Sequence, residues 1–114
     1  MPAAFTRPMT EDTSKTGDKP GRESQPLFAT GHIVATAGAV EACARAGVNL
    51  MDYVRRHVTG DWGDLQEADI RANESAMQVG DRILGTYGLG NGERLLIVTE
   101  GDRSATTVLT PEEY

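Results

Sequence analysis

The stretch that decides the fold is Ile83-Leu-Gly-Thr-Tyr-Gly-Leu-Gly-Asn-Gly-Glu-Arg-Leu-Leu-Ile-Val-Thr99. In its first half, residues at every second position are apolar or small, as in a strand with one buried face. The Asn91-Gly92 pair accepts the positive φ angles that a tight hairpin requires. The second half, from Arg94 onward, is rich in Leu, Ile and Val, which favours another strand. The stretch therefore predicts two antiparallel strands joined by a hairpin turn.

Two further strands are predicted on either side of this hairpin. A turn over residues 100–103 leads into Ser104–Thr110, whose Thr and Val content favours a strand that Pro111 ends. Far upstream, Phe28–Thr36 has β-branched residues near its end and predicts the first strand of the domain.

Three helices are predicted between the first strand and the hairpin. Thr36 can cap a helix over Ala37–Ala46, and Asn49 can cap a second helix that Gly60 ends. Asp64 and Glu67 have the spacing of a capping box and predict the start of a third helix. The predicted apolar faces are Val40, Cys43 and Ala44 in the first helix, Met51, Val54 and Val58 in the second, and Leu65, Ala68, Ala72, Ala76 and Val79 in the third. The predicted fold class is α+β, with one N-terminal strand, three helices and then a three-stranded antiparallel β-meander.

Composition divides the 114 residues into two parts. Residues 1–26 are poor in apolar side chains and carry balanced charge, so we expect a disordered tail. Residues 27–114 form the predicted single domain, and they carry the whole net charge of −6. Lysine is absent from this domain, where thirteen carboxylates outnumber seven arginines. Direct nucleic-acid binding is therefore disfavoured, because neutralising phosphates needs the opposite balance.

Location and redox state are also predicted from the composition. No apolar run approaches the length of a membrane helix, and the N-terminus lacks the apolar core of a signal peptide, so we expect a cytoplasmic protein without a membrane partner. Cys43 is the one cysteine, which excludes an intramolecular disulfide and a thiolate zinc site. No cofactor or metal is predicted.

Two polar segments are the candidates for a binding site. The first is the interhelical turn that follows the second helix, where an imidazole, two carboxylates and an indole lie close together in the sequence, and the second is the tip between the last two strands. Their candidate residues are His57, Asp61, Trp62, Asp64, Asp102, Arg103 and Ser104. Structural roles are the alternative for each group, since Asp64 can cap a helix, Asp61 suits a turn and Trp62 can fill the edge of the core. No catalytic residue is assigned.

We hypothesise that these two segments meet in space and form one functional surface, because functional side chains concentrate on the connections of a rigid scaffold. Arg103 would then be the counter-ion of Asp61 or Asp64. Both His57 and Arg103 are expected to be exposed, so that replacing either would remove function at little cost in stability.

Several blocks of the sequence resemble a family of short bacterial proteins of unknown function that are often carried on plasmids and integrative elements. The resemblance spans residues 28–114 and rests on Phe28-Ala-Thr-Gly-His-Ile-Val-Ala-Thr36, Arg56-His57-Val58, Gly60-Asp-Trp-Gly-Asp64, Arg71-Ala-Asn73, Thr99-Glu100, Asp102-Arg-Ser104 through Leu109, and Pro111-Glu-Glu-Tyr114. Members carry labels such as "plasmid-related protein" or type I restriction methylation subunit. The second label does not suit this chain, because a methyltransferase needs a cofactor-binding fold larger than ~88 residues can supply.

The sequence and the resemblance together favour a non-enzymatic accessory protein of mobile genetic elements that binds another protein through an acidic surface and could interfere with host defence. The alternative is a small-ligand-binding or hydrolytic domain with a site built from His57, Asp61, Asp102 and Arg103. The sequence does not predict the oligomeric state.

Overall fold

The computed structural model describes residues 25–114, so the tail predicted over residues 1–26 lies almost wholly outside the described residues. The elements are β1 (His32–Ala35), α1 (Ala37–Ala46), α2 (Leu50–Val58), α3 (Glu67–Val79), β2 (Ile83–Gly88), β3 (Arg94–Thr99), β4 (Ala105–Leu109) and a 3₁₀ helix (Pro111–Glu113). The predicted α+β class is confirmed. Within this part of the chain, no helix has the length and apolar character needed to cross a membrane.

The strands form one four-stranded mixed sheet with the order β1-β4-β3-β2. The strands β2, β3 and β4 pair antiparallel, whereas β1 pairs parallel with β4. The prediction of an N-terminal strand and a three-stranded antiparallel meander matches this sheet only in part, because the parallel pairing of β1 with β4 makes one mixed sheet of four strands. The strand is also shorter than predicted, since Gly31 has a φ of +63° and interrupts the extended chain before His32.

The helix boundaries follow the predicted signals at α1 and α2 but not at α3. Thr36 and Asn49 accept hydrogen bonds from the amides of Ala39 and Met51, as helix caps do. The predicted cap at Asp64 is wrong, because α3 begins at Glu67 after Gln66. Residues 62–64 are not helical, and their backbone pairs with β2 instead.

All three helices bury a different set of side chains from the one predicted. In α1, Ala39, Ala42 and Cys43 are buried, while Val40 and Ala44 face solvent. In α2, Val54 and Val58 are buried as predicted, but Met51 is exposed and His57 takes its place. In α3, the buried residues are Asn73 and Ala76, and Val79 is exposed.

Two apolar clusters fill the space between the helices and one face of the sheet. The larger lies under α1 and α2 and consists of Ala39, Ala42, Cys43, Val54, Tyr87, Leu89, Leu95, Ile97 and Val108. The smaller consists of Trp62, Ala76 and Ile83, with Phe28, Leu65, Ile70 and Met77 packed around them. The predicted alternation in β2 is confirmed, because Ile83, Gly85, Tyr87 and Leu89 are all buried.

Asn73 completes the outer edge of β2. Its side-chain amide donates to the carbonyl of Leu84 at 2.6 Å, and its side-chain oxygen accepts from the amide of Leu84 at 3.1 Å. The Asn73 side chain therefore replaces the neighbouring strand that Leu84 lacks. An unpaired backbone group at this partly buried position would cost free energy, since water does not reach it freely.

We predict that Asn73→Ala lowers the free energy of unfolding by about 2–4 kcal/mol, because it leaves both backbone groups of Leu84 without a partner. The matched control is Ser75→Ala on the exposed side of α3, which should change stability by at most about 0.5 kcal/mol. Urea unfolding followed by circular dichroism measures both. Equal stability of the two variants would show that Asn73 does not protect this edge.

Candidate functional site

The turn Gly60–Asp64 lies along the edge of β2 and, like Asn73, binds outward-facing backbone groups of this strand. The amide of Thr86 donates to the carbonyl of Trp62 at 3.1 Å, and the amide of Asp64 donates to the carbonyl of Thr86 at 2.8 Å. Gly63, between them, has a φ of +75°, and a Cβ atom there would lie 2.0 Å from the carbonyl oxygen of Thr86. Only glycine fits this close approach, so the backbone of the turn acts as a short substitute strand.

The two carboxylates of this turn are paired with arginines. Arg56 donates from Nε to Asp61 at 2.7 Å, and the amide of Gly63 donates to the other oxygen of Asp61 at 3.1 Å. The Arg56 guanidinium is the main reason that the pKa of Asp61 is lowered. Asp64 lies 3.1 Å from the guanidinium of Arg94. Both carboxylates are exposed, but each has a cation of the same chain beside it.

Trp62 is 4% exposed and belongs to the smaller apolar cluster. Its Nε1 has no hydrogen-bond partner among the residues that the structure describes. The indole therefore fills the core edge, as the structural alternative predicted, and it does not present its ring to solvent.

His57 is fully buried and takes part in a chain of polar side chains that crosses the core. Its Nε2 lies 3.0 Å from the hydroxyl of Thr99, which lies 2.8 Å from the hydroxyl of Thr106. Thr106 in turn donates to the carbonyl of Thr30 at 2.9 Å. This series of hydrogen bonds links α2, β3, β4 and the segment before β1. The expectation that His57 is exposed is wrong.

The carbonyl of Thr30 fixes the direction of every proton in this chain, because a carbonyl can only accept. Thr106 must donate to it, so Thr99 donates to Thr106 and the Nε2 of His57 donates to Thr99. A neutral imidazole in this network therefore carries its proton on Nε2. The Nδ1 of His57 lies 3.4 Å from the hydroxyl of Tyr87, and this hydroxyl donates to the carbonyl of Asp61 at 2.8 Å.

Burial lowers the pKa of His57 from 6.5 to about 4. Since no carboxylate faces the ring within the network, nothing there stabilises the imidazolium. A neutral imidazole with its proton committed to Thr99 is poorly suited to exchange protons with a substrate. Cys43 is equally unsuited to nucleophilic chemistry, because its thiol is buried and burial raises its pKa.

Arg103 binds backbone carbonyls of its own chain. Its Nη1 donates to the carbonyls of Asp81, Glu100 and Gly101 at 2.7, 3.0 and 3.1 Å, and its Nη2 donates to the carbonyl of Ala76 at 3.0 Å. The last contact places a cation at the C-terminal turn of α3, where the helix dipole favours positive charge. Arg103 also has a φ of +60°, an uncommon angle for a side chain of this size.

The remaining candidates at the tip shape the turn itself. The amide of Ser104 donates to the Asp102 side chain at 3.0 Å. The pKa of Asp102 is lowered mainly by the side chain of Ser104 and next by this amide. The carbonyl of Ser104 accepts from the amide of His32 at 3.0 Å, so the tip also aligns β1 with β4. Asp102 and Ser104 are exposed.

The predicted ion pair between Arg103 and Asp61 or Asp64 is wrong, since these carboxylates bind Arg56 and Arg94. The two segments are connected through Phe28 instead. Its ring contacts His57 edge to face, with centroids 5.4 Å apart, and the guanidinium of Arg103 lies 5.7 Å from the same centroid. A binding role for the seven candidate residues stays a prediction.

The sequence analysis missed Asn73, although its signal was present. A short polar side chain that lies among the apolar residues of a helix is disfavoured unless it has a specific partner. Asn73 occurs between Ile70 and Ala76, which both face the core. The sequence pattern could therefore have indicated that Asn73 has a specific hydrogen-bond partner. The partner, Leu84, could not be identified without the fold.

No metal site is apparent in residues 25–114, since no group of three or more His, Cys, Asp or Glu side chains could hold an ion. In comparisons with protein-family models, curated proteins and solved structures, no match to this chain was found.

We predict that His57 makes the stability of the protein depend on pH between about pH 6.5 and 4. Because the pKa of the folded state lies below that of the unfolded state, the unfolded chain binds the proton first. Stability contributed by the neutral ring is complete above pH 6.5 and is lost as the pH falls, by on the order of 3 kcal/mol at pH 4.

The matched variant is His57→Gln, whose side-chain amide can still donate to Thr99 but does not titrate. Urea unfolding of both proteins across this range separates His57 from the surface carboxylates, which the two share. The wild-type protein should lose more stability than the variant as the pH falls. Parallel curves would mean that the pKa of His57 is not lowered by folding.

We predict that Arg103→Ala lowers the free energy of unfolding by about 2–3 kcal/mol, because several carbonyls lose a charged donor at once. Arg103→Gly should be more stable than Arg103→Ala by about 1 kcal/mol, since glycine accepts the positive φ. Arg55→Ala, which removes an exposed pair with Asp52, is the control and should have almost no effect. An Arg103→Ala variant as stable as the wild-type protein would contradict the contacts described.

Proposed function

We propose that this protein is a non-enzymatic accessory protein that binds another protein and recognises basic side chains of that partner with its carboxylates. The association with mobile genetic elements, and a role there such as interference with host defence, is part of the proposal and rests on the sequence resemblance. The physical basis of the binding is the distribution of charge on the described surface.

The observation that carries the proposal is that every arginine among residues 25–114 is already bound within the chain. Six of them form ion pairs, namely Arg45, Arg55, Arg56, Arg71, Arg82 and Arg94. The seventh, Arg103, binds carbonyls. Seven carboxylates have no arginine partner among the described residues, namely Glu41, Asp69, Glu74, Asp81, Asp102, Glu112 and Glu113. The described surface therefore presents carboxylates that a partner could bind, whereas its arginines are bound within the chain.

This distribution supports a basic partner over an anionic one. Phosphate groups are bound by free Lys and Arg side chains, which the described surface does not offer. A basic protein, in contrast, would be steered toward the surface by its charge.

A cleft beside α3 supplies the most specific feature of this surface. The cleft has a volume of about 540 Å³, and its lining includes the carboxylates of Asp69 and Asp81 and the apolar side chains of Leu65 and Leu84. A lysine or arginine of a partner could place its aliphatic stem against the leucines and its charged end against the carboxylates. Arg82 also lines the cleft, but it binds Glu100 and Tyr114.

The proposal is tested by capture from a nuclease-treated bacterial lysate with the immobilised full-length chain, where nuclease excludes bridging by nucleic acid. We expect a stoichiometric protein partner, and we expect Asp69→Lys to reduce its retention about tenfold through loss of the cleft carboxylate. The control is Glu74→Lys on the same helix outside the cleft, which changes the net charge equally. Its retention should stay close to that of the wild type.

Equal retention by both variants would contradict recognition through this cleft. No stoichiometric partner, combined with a thermal shift on addition of a nucleotide or a divalent metal, would overturn the proposal in favour of the small-ligand or hydrolytic alternative.

A further inference from the structure

The outer edge of β1 has no strand beside it within residues 25–114. The amides of His32 and Thr36 donate to carbonyls of Ser104 and Val108 in or next to β4. The backbone groups of successive residues in a strand point alternately to its two sides. The amide and carbonyl of Val34 therefore also face β4, whereas those of Ile33 and Ala35 point outward. The edge therefore presents donors and acceptors that have no partner within the described part of the chain.

At the opposite edge of the sheet, the chain itself binds outward-facing backbone groups. At β2, Asn73 binds both outward backbone groups of Leu84, and the turn Gly60–Asp64 binds both outward groups of Thr86. The chain thus supplies a specific substitute for a neighbouring strand at one edge. At β1 it supplies none among the described residues.

The β1 edge also lacks the features that normally prevent strands from pairing. Charged side chains, above all lysine, and proline protect exposed edges in many proteins. Here the run from residue 27 to residue 40 contains no proline, lysine, arginine, aspartate or glutamate. Ile33, Val34 and Val40 are instead exposed by 42%, 50% and 53%.

We propose that a second copy of this chain occupies the edge, with the two β1 strands antiparallel and a two-fold axis passing beside Val34. Ile33 of one copy then lies opposite Ala35 of the other, and each such pair exchanges two backbone hydrogen bonds, roughly four in all. The two sheets become one continuous sheet across the axis.

The sequence of β1 suits its own copy in this register. On the helix-covered face, the large side chain of Ile33 meets the small side chain of Ala35, so the two fit without crowding. On the other face, Val34 meets Val34 of the second copy, a β-branched pair of the kind that stabilises sheets. The outward groups are self-complementary, as a two-fold interface requires.

Charge at the edge itself does not oppose pairing with a copy. Two molecules of net charge −6 repel one another, and salt limits this repulsion to about 10 Å. Because the edge itself carries no charge, pairing brings no carboxylates into direct contact along β1. The strands span only His32–Ala35, and they bury less than the roughly 1,200 Å² of a typical stable interface, so we expect dissociation at micromolar concentrations.

The dimer is independent of the proposed function, because the carboxylate cleft beside α3 lies at the β2 edge. Loss of the dimer and loss of partner retention are therefore separate outcomes. A charge at Val34 should abolish the first and leave the second unchanged for each monomer.

The axis at Val34 gives a test that depends on the register. Sedimentation velocity of the full chain should show a concentration-dependent dimer, which Val34→Lys and Val34→Glu each remove, because like charges then meet across the axis. An equimolar mixture of the two variants should restore a heterodimer. A wild-type protein that stays monomeric at millimolar concentration, whether β1 is free or covered by residues 1–24, overturns the proposal, as does a mixture that does not associate.

Cysteine cross-linking locates the axis directly. Val34→Cys should form an intermolecular disulfide under mild oxidation, because residues facing one another in such a pair have Cα atoms about 4.5 Å apart. Ile33→Cys is the matched control, since its counterpart lies diagonally beyond the ~7 Å limit for a disulfide. Equal cross-linking by both variants, or preferential cross-linking by Ile33→Cys, would contradict this register.

Discussion

The rest of this structure depends on how the backbone groups at the outer edge of β2 find partners. A strand at the edge of a sheet presents amides and carbonyls that must be hydrogen-bonded to protein or to water. Here Leu84 is bound by the side chain of Asn73, and Thr86 is bound by the backbone of the Trp62–Asp64 segment. This requirement places α3 beside the sheet, demands glycine at position 63 and delays the start of α3 to Glu67.

The need of buried polar groups for hydrogen-bond partners also explains two polar residues of the candidate site, His57 and Arg103. His57 lies in a buried chain of hydroxyl groups that ends on the carbonyl of Thr30, and Arg103 holds carbonyls at the end of α3 and at the tip between β3 and β4. Breaking either set would leave polar groups that are buried at His57 and partly buried at Arg103 without a partner, which costs more than an ordinary hydrogen bond contributes. The hydrogen-bonding groups of His57 and Arg103 therefore serve the fold.

Much of the local structure could be predicted from the sequence, because its signals are local. Thr36 and Gly47 mark the ends of α1, and Asn91-Gly92 marks the hairpin between β2 and β3. The predictions that were wrong concern distant partners. Asp64 has the spacing of a helix cap, yet Arg94 and Thr86 hold it elsewhere, and Arg103 finds carbonyls where a carboxylate was expected. Neither outcome follows from spacing along the chain, since both depend on which segments the fold brings together.

The central claim is that residues 25–114 cover the β2 edge of the sheet and leave the β1 edge open for pairing. Amide hydrogen exchange followed by NMR on a dilute, monomeric sample tests it directly, because exchange reports the opening of each hydrogen bond separately. The amides of Leu84 and Thr86 should exchange as slowly as the central strands, whereas those of Ile33 and Ala35 should exchange rapidly. Rapid exchange at Leu84 and Thr86, or slow exchange at Ile33 and Ala35 in the monomer, would contradict the account.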